Sequence, residues 1–305
     1  MKLNVLINAA AMQPKKTVAV AAAEDSEVIE AVSTAIQMGL AKFCLFGKED
    51  SILSMLKDYK LSVSEDLQVI AADSEAAAAE LAVKAVSSGK AHVLMKGNIA
   101  TAKILKAVLN KEYGLRKERL LSHVAVFEMN DYDRFLIVTD AAMNIAPDLE
   151  QKVAILQNAI TVARAIGIEQ PKVAPIAAVE VVNPAMQATI DAALLTQMNR
   201  RGQIQRCFVD GPLALDNAIC KAAAQHKGIE STVAGEADIL LVPNIETGNV
   251  LYKSLVYFAG AKVGAVIAGA KAPIVLTSRA DCAQTKLYSL ALAVSISDSC
   301  SSTTI

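Results

Sequence analysis

Thr17–Gly39 reads TVAVAAAEDSEVIEAVSTAIQMG, and this stretch decides the fold class. Thr17–Ala23 is a short apolar run with β-branched residues, the pattern of a buried strand. Asp25 or Ser26 then caps a helix that places Val28, Ile29, Val32 and Ile36 on one face, and Gly39 stops it. The next strands are predicted at Phe43–Phe46, Val69–Ala71 and Val93–Met95, with helices near 49–58, 74–88 and 99–112. Strict alternation of this kind predicts parallel βαβ units in an α/β protein.

The pattern changes after residue 120. Val124–Met129 and Phe135–Thr139 are two strands joined by the polar Asn130-Asp131-Tyr132-Asp133-Arg134, which predicts a hairpin. A long helix follows whose first turn is read as Pro147-Asp148-Leu149-Glu150, with proline and acids where the helix dipole favours them. More βα units are expected at Val173–Val179, Cys207–Val209, Ile239–Val242 and Val263–Ala268. The hairpin suggests a domain change near residue 125. The expected organisation is a split first α/β domain, 1–124 plus 268–305, a second α/β domain, 125–267, and a cleft between the two parallel sheets.

Composition narrows the function classes. A chain of 305 residues is long enough for two domains. A net charge of -1 gives no general attraction to nucleic acid or to an anionic membrane. There is no Trp, and aromatics do not interleave with basic residues, so base-stacking platforms are not expected. Lys262 interrupts the most apolar region, Leu255–Ala270, which falls short of a membrane span. The five cysteines, Cys44, Cys207, Cys220, Cys282 and Cys300, are odd in number and contain no C-x-x-C pair. With no convincing signal peptide, this cysteine usage points to a reducing cytoplasm.

Polar residues cluster where predicted strands end, the place at which open α/β sheets bind ligands. In APIVLTSRADCAQTKLYSLAL, Ala272–Leu292, an apolar strand delivers Thr277, Ser278, Arg279 and Asp281 to the start of a helix with Leu287, Leu290 and Ala291 at helical spacing. One cation and several hydrogen-bonding groups at a helix start suggest a phosphate site. The loop Met95–Thr101 offers Lys96 for charge, Gly97 for close backbone approach, and Asn98 or Thr101 as a cap. Asp140 ends another strand, Asp210-Gly211-Pro212 a third, and Pro243–Asn249 leads into a helix with Lys253. Each acid alone is more simply a helix cap, Lys96 serves equally in a structural ion pair, and Glu246 could merely pair with Lys253.

Metal binding is not expected, because His92, His123 and His226 are scattered without ligand spacing. Ser278 lacks a G-x-S-x-G elbow, which argues against a serine hydrolase. No G-x-x-x-x-G-K-[ST] or G-x-G-x-x-G is present to cradle a nucleoside triphosphate or dinucleotide.

Read together, VLMKGNIATAKILKAVLN, LLSHVAVFE, VTDAAMNIAPDLEQK, FVDGPLALDNAI, ADILLVPNIETGNVLYKSLVYFAGA and APIVLTSRADCAQTKLYSLALA resemble the phosphate acetyltransferase/phosphate butyryltransferase family, over about residues 90–294. LMKGNI, VPNIETGN and LYKSL look like its butyryl branch. The resemblance implies two α/β domains of the isocitrate/isopropylmalate dehydrogenase-like kind. It also implies transfer of a short acyl group between coenzyme A and inorganic phosphate, with both as substrates and no tightly bound cofactor. Its members are commonly dimers or larger.

The resemblance places Ser278 and Arg279 at the reacting acyl phosphate. Lys96, Gly97, Asn98, Thr101, Asp140, Asp210, Asn249 and Lys253 are the candidate substrate-binding residues. In the acetyl branch an aspartate stands seven residues after the serine, whereas this chain has Thr285. Asp281 is the nearest carboxylate in the loop and the candidate base, with Asp140 and Asp210 as further candidates. The competing readings are an acetyltransferase, a fold-related metal- or nicotinamide-dependent oxidoreductase, and a silent binding protein for coenzyme A or acyl phosphate.

Overall fold

The computed structural model describes residues 1–117, 120–130, 132–278 and 281–301. The chain divides into two compact units, one formed by Leu3–Arg119 with Val263–Ile305 and the other by Met1–Lys2 with Leu120–Lys262.

The first unit begins with α1 (Leu3–Ala11), β1 (Lys16–Ala21), α2 (Ser26–Gln37), β2 (Ala41–Gly47), α3 (Glu49–Asp58), β3 (Leu67–Ala71), α4 (Glu75–Ser87), β4 (Val93–Lys96) and α5 (Thr101–Val108). The second unit contains β5 (Ser122–Glu128), β6 (Leu136–Thr139), α6 (Leu149–Ala165), β7 (Lys172–Pro175), α7 (Gln187–Arg200), β8 (Phe208–Val209), α8 (Leu215–Ile219), α9 (Lys221–His226), β9 (Ile239–Leu241) and α10 (Ile245–Tyr257). The chain then returns to the first unit with β10 (Lys262–Ala268), β11 (Ile274–Val275) and α11 (Ala283–Ser301).

Strands in the first unit lie in the order β3-β2-β1-β4-β11-β10. Val18 pairs with Phe43, Ala21 with Lys96 and Val275 with Met95, all in parallel register. The β10–β11 pair is antiparallel, with Ile267 opposite Ile274. The second unit runs β5-β6-β9-β7-β8. There the predicted hairpin forms, Val126 opposite Ile137, and the remaining pairs are parallel. Each unit's run of strands is therefore mixed, with one antiparallel pair among the pairs described.

Parallel strands covered by helices on both faces bury every side chain, which explains their unbroken apolar runs. Val18, Ala19, Val20 and Ala21 are completely buried, as are Val93, Leu94 and Met95. Small residues let the helices sit close: α4 reads EAAAAELAVKAVS and buries Ala78, Ala79, Ala82, Val83 and Val86.

Local chemistry sets the helix starts. The Asp25 carboxylate accepts the Val28 N–H at 3.0 Å, and Ser74 accepts that of Ala77 at 3.2 Å. Asp148 and Gln151 form a reciprocal capping box, at 2.9 and 3.0 Å. The helix thus starts at Leu149, and Asp148 is its cap rather than a member of its first turn. Two features depart from the sequence expectations. Leu3–Ala11 is helical, burying Leu3, Leu6, Ile7 and Ala10 and packing on α11, where Tyr288 donates to Asn4 at 3.1 Å. Neither Asn98 nor Thr101 caps α5, whose N-cap position is Ala100, without a side-chain hydrogen bond.

Candidate active site

In the first unit, β4 and β11 are neighbours and parallel, so the loops leaving their carboxyl ends emerge side by side. Lys96 ends β4 and is only 5% exposed, a long cation held inside the unit with Nζ donating to the Gly97 carbonyl at 3.2 Å. The next residues are pressed onto the end of β1. The Gly97 N–H bonds the Ala21 carbonyl at 2.9 Å, and the Asn98 N–H bonds that of Ala22 at 2.6 Å. A Cβ on Gly97 would stand 2.1 Å from the Ala22 oxygen, so this approach requires glycine. The tie to β1 also explains the missing cap, because the backbone at Asn98 turns toward Ala22. Thr101 stands at the first position of α5.

Ser278 follows β11 and is exposed, whereas Thr277 beside it is buried. Asp281 is tied back to Ser278: its Oδ2 accepts the Ser278 N–H at 2.7 Å, and its own N–H donates to the Ser278 carbonyl at 3.2 Å. Lys286, in the first turn of α11 and 2% exposed, donates from Nζ to the Asp281 carbonyl. The Ala283 N–H at the start of α11 is taken by Glu27 from α2, at 2.8 Å. Arg279, the predicted partner of Ser278, lies outside the described residues.

Thr285 faces Cys282, with Oγ1 and Sγ 3.6 Å apart. Burial pushes the Cys282 thiol up, but hydrogen bonds from Thr285 and from the amides at the start of α11 outweigh it and leave the thiol below its ordinary range. Cys207 in the second unit shows the opposite case, where burial alone raises the thiol to about 11.

The second unit gathers a second group at the ends of β6 and β9, which are also parallel neighbours. The Asp140 carboxylate is 2% exposed and fully engaged in its own loop. Oδ1 accepts the Ala142 and Met143 N–H groups at 2.9 Å each, and Oδ2 accepts the Asn144 amide at 2.6 Å. α10 packs directly on this loop, since a Cβ on Gly248 would lie 2.6 Å from the Asp140 carbonyl oxygen. Asn249 donates to the Ala141 carbonyl at 3.4 Å, and Lys253, one turn on, is exposed. Among the described residues Glu246 and Lys253 form no ion pair with each other. Asp210 stands apart: β8 is the edge strand, three strand spacings or roughly 14 Å from β6. Its carboxylate lies 3.7 Å from the Arg200 guanidinium.

The structure thus brings Lys96, Gly97 and Asn98 beside Ser278 and Asp281, and Asp140 beside Asn249, while Asp210 joins neither group. Sequence reasoning found Lys96 but passed over two other buried cations, Lys286 and Lys152. Lys286 reads as one more polar residue on an amphipathic helix, and only the tertiary structure shows its ammonium at the Asp281 carbonyl. The same holds for Lys152, buried against Asp191 with Gln187 as a third partner. Among the described residues no group of three His, Cys, Asp or Glu side chains could hold a metal ion, and no helix is long and apolar enough to cross a membrane.

Comparison with known proteins gives this arrangement a context. The family model described as phosphate acetyl/butaryl transferase matches residues 66–294. A probable phosphate butyryltransferase from Bacillus subtilis is 55% identical over 298 residues, 98% of this chain and 99% of that protein. A phosphate butyryltransferase from Clostridium acetobutylicum is 52% identical over 278 residues, 91% of this chain and 92% of that one. Among solved structures, a branched-chain phosphotransacylase from Enterococcus faecalis V583 superposes with a TM-score of 0.83 at 36% identity, covering 92% of this chain and 99% of the other. With three quarters of its length matched by the family model and near-complete coverage of these relatives, the chain belongs to the phosphate acetyl/butyryl transferase family.

Proposed function

We propose that this protein is a phosphate acyltransferase that exchanges a short acyl group, butyryl foremost, between coenzyme A and inorganic phosphate. The observation that carries the reading is the side-by-side emergence of the Lys96–Asn98 and Ser278–Asp281 loops from parallel neighbouring strands, in a chain whose relatives are named phosphate butyryltransferases. Such a place offers a fixed cation, hydroxyl groups and backbone donors to an oxyanion.

Transfer runs directly, with both substrates bound together. Toward thioester, the sulfur of coenzyme A attacks the carbonyl carbon of the acyl phosphate and forms the C–S bond. The C–O bond to phosphate then breaks, phosphate leaves with that electron pair, and the thiol proton passes to a base. Arg279 grips phosphate oxygens bidentately and offsets charge on the leaving group, Ser278 donates a hydrogen bond to the carbonyl or phosphate oxygen, and Lys96 adds charge. Asp281 is the proposed base. Its Oδ2 holds the Ser278 N–H, which leaves Oδ1 to receive the proton. Full proton transfer from a free thiol to an ordinary aspartate is uphill by roughly 6 kcal/mol, so the proton must move as the C–S bond forms. Asp140 serves its own loop with both carboxylate oxygens, which favours Asp281 over it.

The substrates are acyl-CoA, phosphate and acyl phosphate, and no bound cofactor is needed for this chemistry. Asn98, Thr101, Asn249 and Lys253 remain proposed substrate contacts. The proposed location is the cytoplasm, in keeping with five cysteines in no redox-motif spacing. A homodimer or larger homo-oligomer is proposed as well. α10 buries only Gly248 and exposes Val250 and Tyr257, and Phe258 at its C-cap is 92% exposed, apolar surface suited to another protein. The test of the reading is phosphate-dependent release of coenzyme A from butyryl-CoA, which Arg279→Ala should reduce by about tenfold or more. Unchanged turnover would remove Arg279 from the site.

A further inference from the structure

Two buried polar groups flank Ser278 and Asp281 with hydrogen-bonding capacity left over. Thr277 is 7% exposed, and its hydroxyl has no hydrogen-bond partner among the described residues. The other buried threonines show the ordinary solution: Thr139 donates to the His123 carbonyl, Thr189 to that of Met186, and Thr196 to that of Ala192. The second group is Lys286. An ammonium has three donors, and in the structure its Nζ serves one acceptor, the Asp281 carbonyl. Among the described residues no carboxylate lies within 4.0 Å of it, whereas the buried Lys152 has Asp191 as counter-ion. A buried cation without an anion carries an uncompensated desolvation cost, so an anion that arrives beside it gains what the fold leaves open.

We propose that Lys286 is a positioning and charge-supplying residue of the phosphate subsite. Its Nζ fixes Asp281 through the backbone, Asp281 fixes the Ser278 N–H, and the ammonium, with no counter-ion among the described residues, raises the affinity at Ser278 for a phosphate dianion. This rests on the acyl-phosphate reading above. Thr277, immediately before Ser278, adds a buried hydroxyl without a hydrogen-bond partner among the described residues, a second group of the same segment with a donor to spare.

The experiment compares Lys286→Met, Lys286→Gln and Lys286→Arg in the full chain, measuring KM for inorganic phosphate, KM for butyryl-CoA, kcat and thermal midpoint. Methionine keeps the volume and removes the charge, glutamine keeps a donor for the Asp281 carbonyl without charge, and arginine keeps both. The expected result for Met and Gln is a phosphate KM raised about tenfold or more, the scale of a lost charged hydrogen bond. The butyryl-CoA KM should move less than about twofold and the thermal midpoint should not fall, since an uncompensated buried charge has been removed. Arginine should recover most of the phosphate KM. A wild-type phosphate KM in Lys286→Gln would overturn the proposal, as would a lower midpoint in Met and Gln with equal losses toward both substrates. If the wild-type chain shows no phosphate-dependent release at all, the acyltransferase reading fails instead.

Discussion

Replacing Gly97 by alanine tests the packing that brings the two loops of the first unit together. The added Cβ would stand 2.1 Å from the Ala22 oxygen, 2.8 Å from its carbonyl carbon and 2.9 Å from the Ala21 oxygen. Those atoms are backbone of the central strand end and have no rotamer to change. Real Cβ contacts begin at about 3.0 Å, so the β4–α5 loop must retreat by about 0.9 Å. The retreat strains two hydrogen bonds, Gly97 to Ala21 at 2.9 Å and Asn98 to Ala22 at 2.6 Å. Overpacking and the two weakened bonds together predict a loss of about 3–5 kcal/mol. The assay is urea unfolding followed by circular dichroism, with Gly39→Ala as comparison. Gly39 has a φ of +69° but nothing within 4 Å of its Cβ position, so its alanine costs only the strain of a left-handed backbone, about 1 kcal/mol. Equal stability of the two variants would refute the reasoning, because space rather than backbone conformation is the claimed cause at Gly97.

Two further predictions concern ionisation. Hydrogen bonds and charge from Lys172 and Lys221 hold the Glu236 carboxyl down to about 2, so its contribution to stability is fully present above the ordinary carboxylate value and fades as pH falls toward 2. Glu236→Gln should therefore be less stable than the parent chain near neutrality and lose less on acidification, with the gap shrinking in high salt. Thermal midpoints measured across that range check it, and parallel curves would contradict it. For the thiols, alkylation by iodoacetamide followed by peptide mass mapping should modify exposed Cys282 well before buried Cys207, whose thiol stays protonated at neutral pH. Equal rates, or Cys207 first, would contradict the assigned environments.

Much of the fold can be read from residue pattern because parallel strands covered on both faces must be apolar throughout, and their helices must carry one apolar stripe. Thr17–Ala23 and the helix behind Asp25 follow from that alone, whereas the hairpin at Val124–Thr139 reads from two apolar runs joined by the short polar segment Asn130–Arg134. What escaped depends on tertiary contact. α1 has no strong cap and becomes a helix by packing on α11. The antiparallel turn from β10 into β11 is set by the register of Ile267 against Ile274, which no local pattern encodes. The candidate site divides the same way. Ser278 and Lys96 stand out because polar residues interrupt apolar runs at strand ends. Lys286 does not, since a lysine on a helix normally reaches solvent, and its burial under Asp281 appears only once α11 is docked. Asp140 and Asp210 look alike in sequence, yet one is locked by three donors in a central loop and the other sits at a sheet edge.

The most direct measurement of the central claim is coenzyme A release from acetyl-, propionyl-, butyryl- and isobutyryl-CoA, each with and without inorganic phosphate. The expected result is release that requires phosphate and a kcat/KM for butyryl roughly tenfold above acetyl, the value of two more buried methylenes. Absence of phosphate-dependent release with every chain would contradict it.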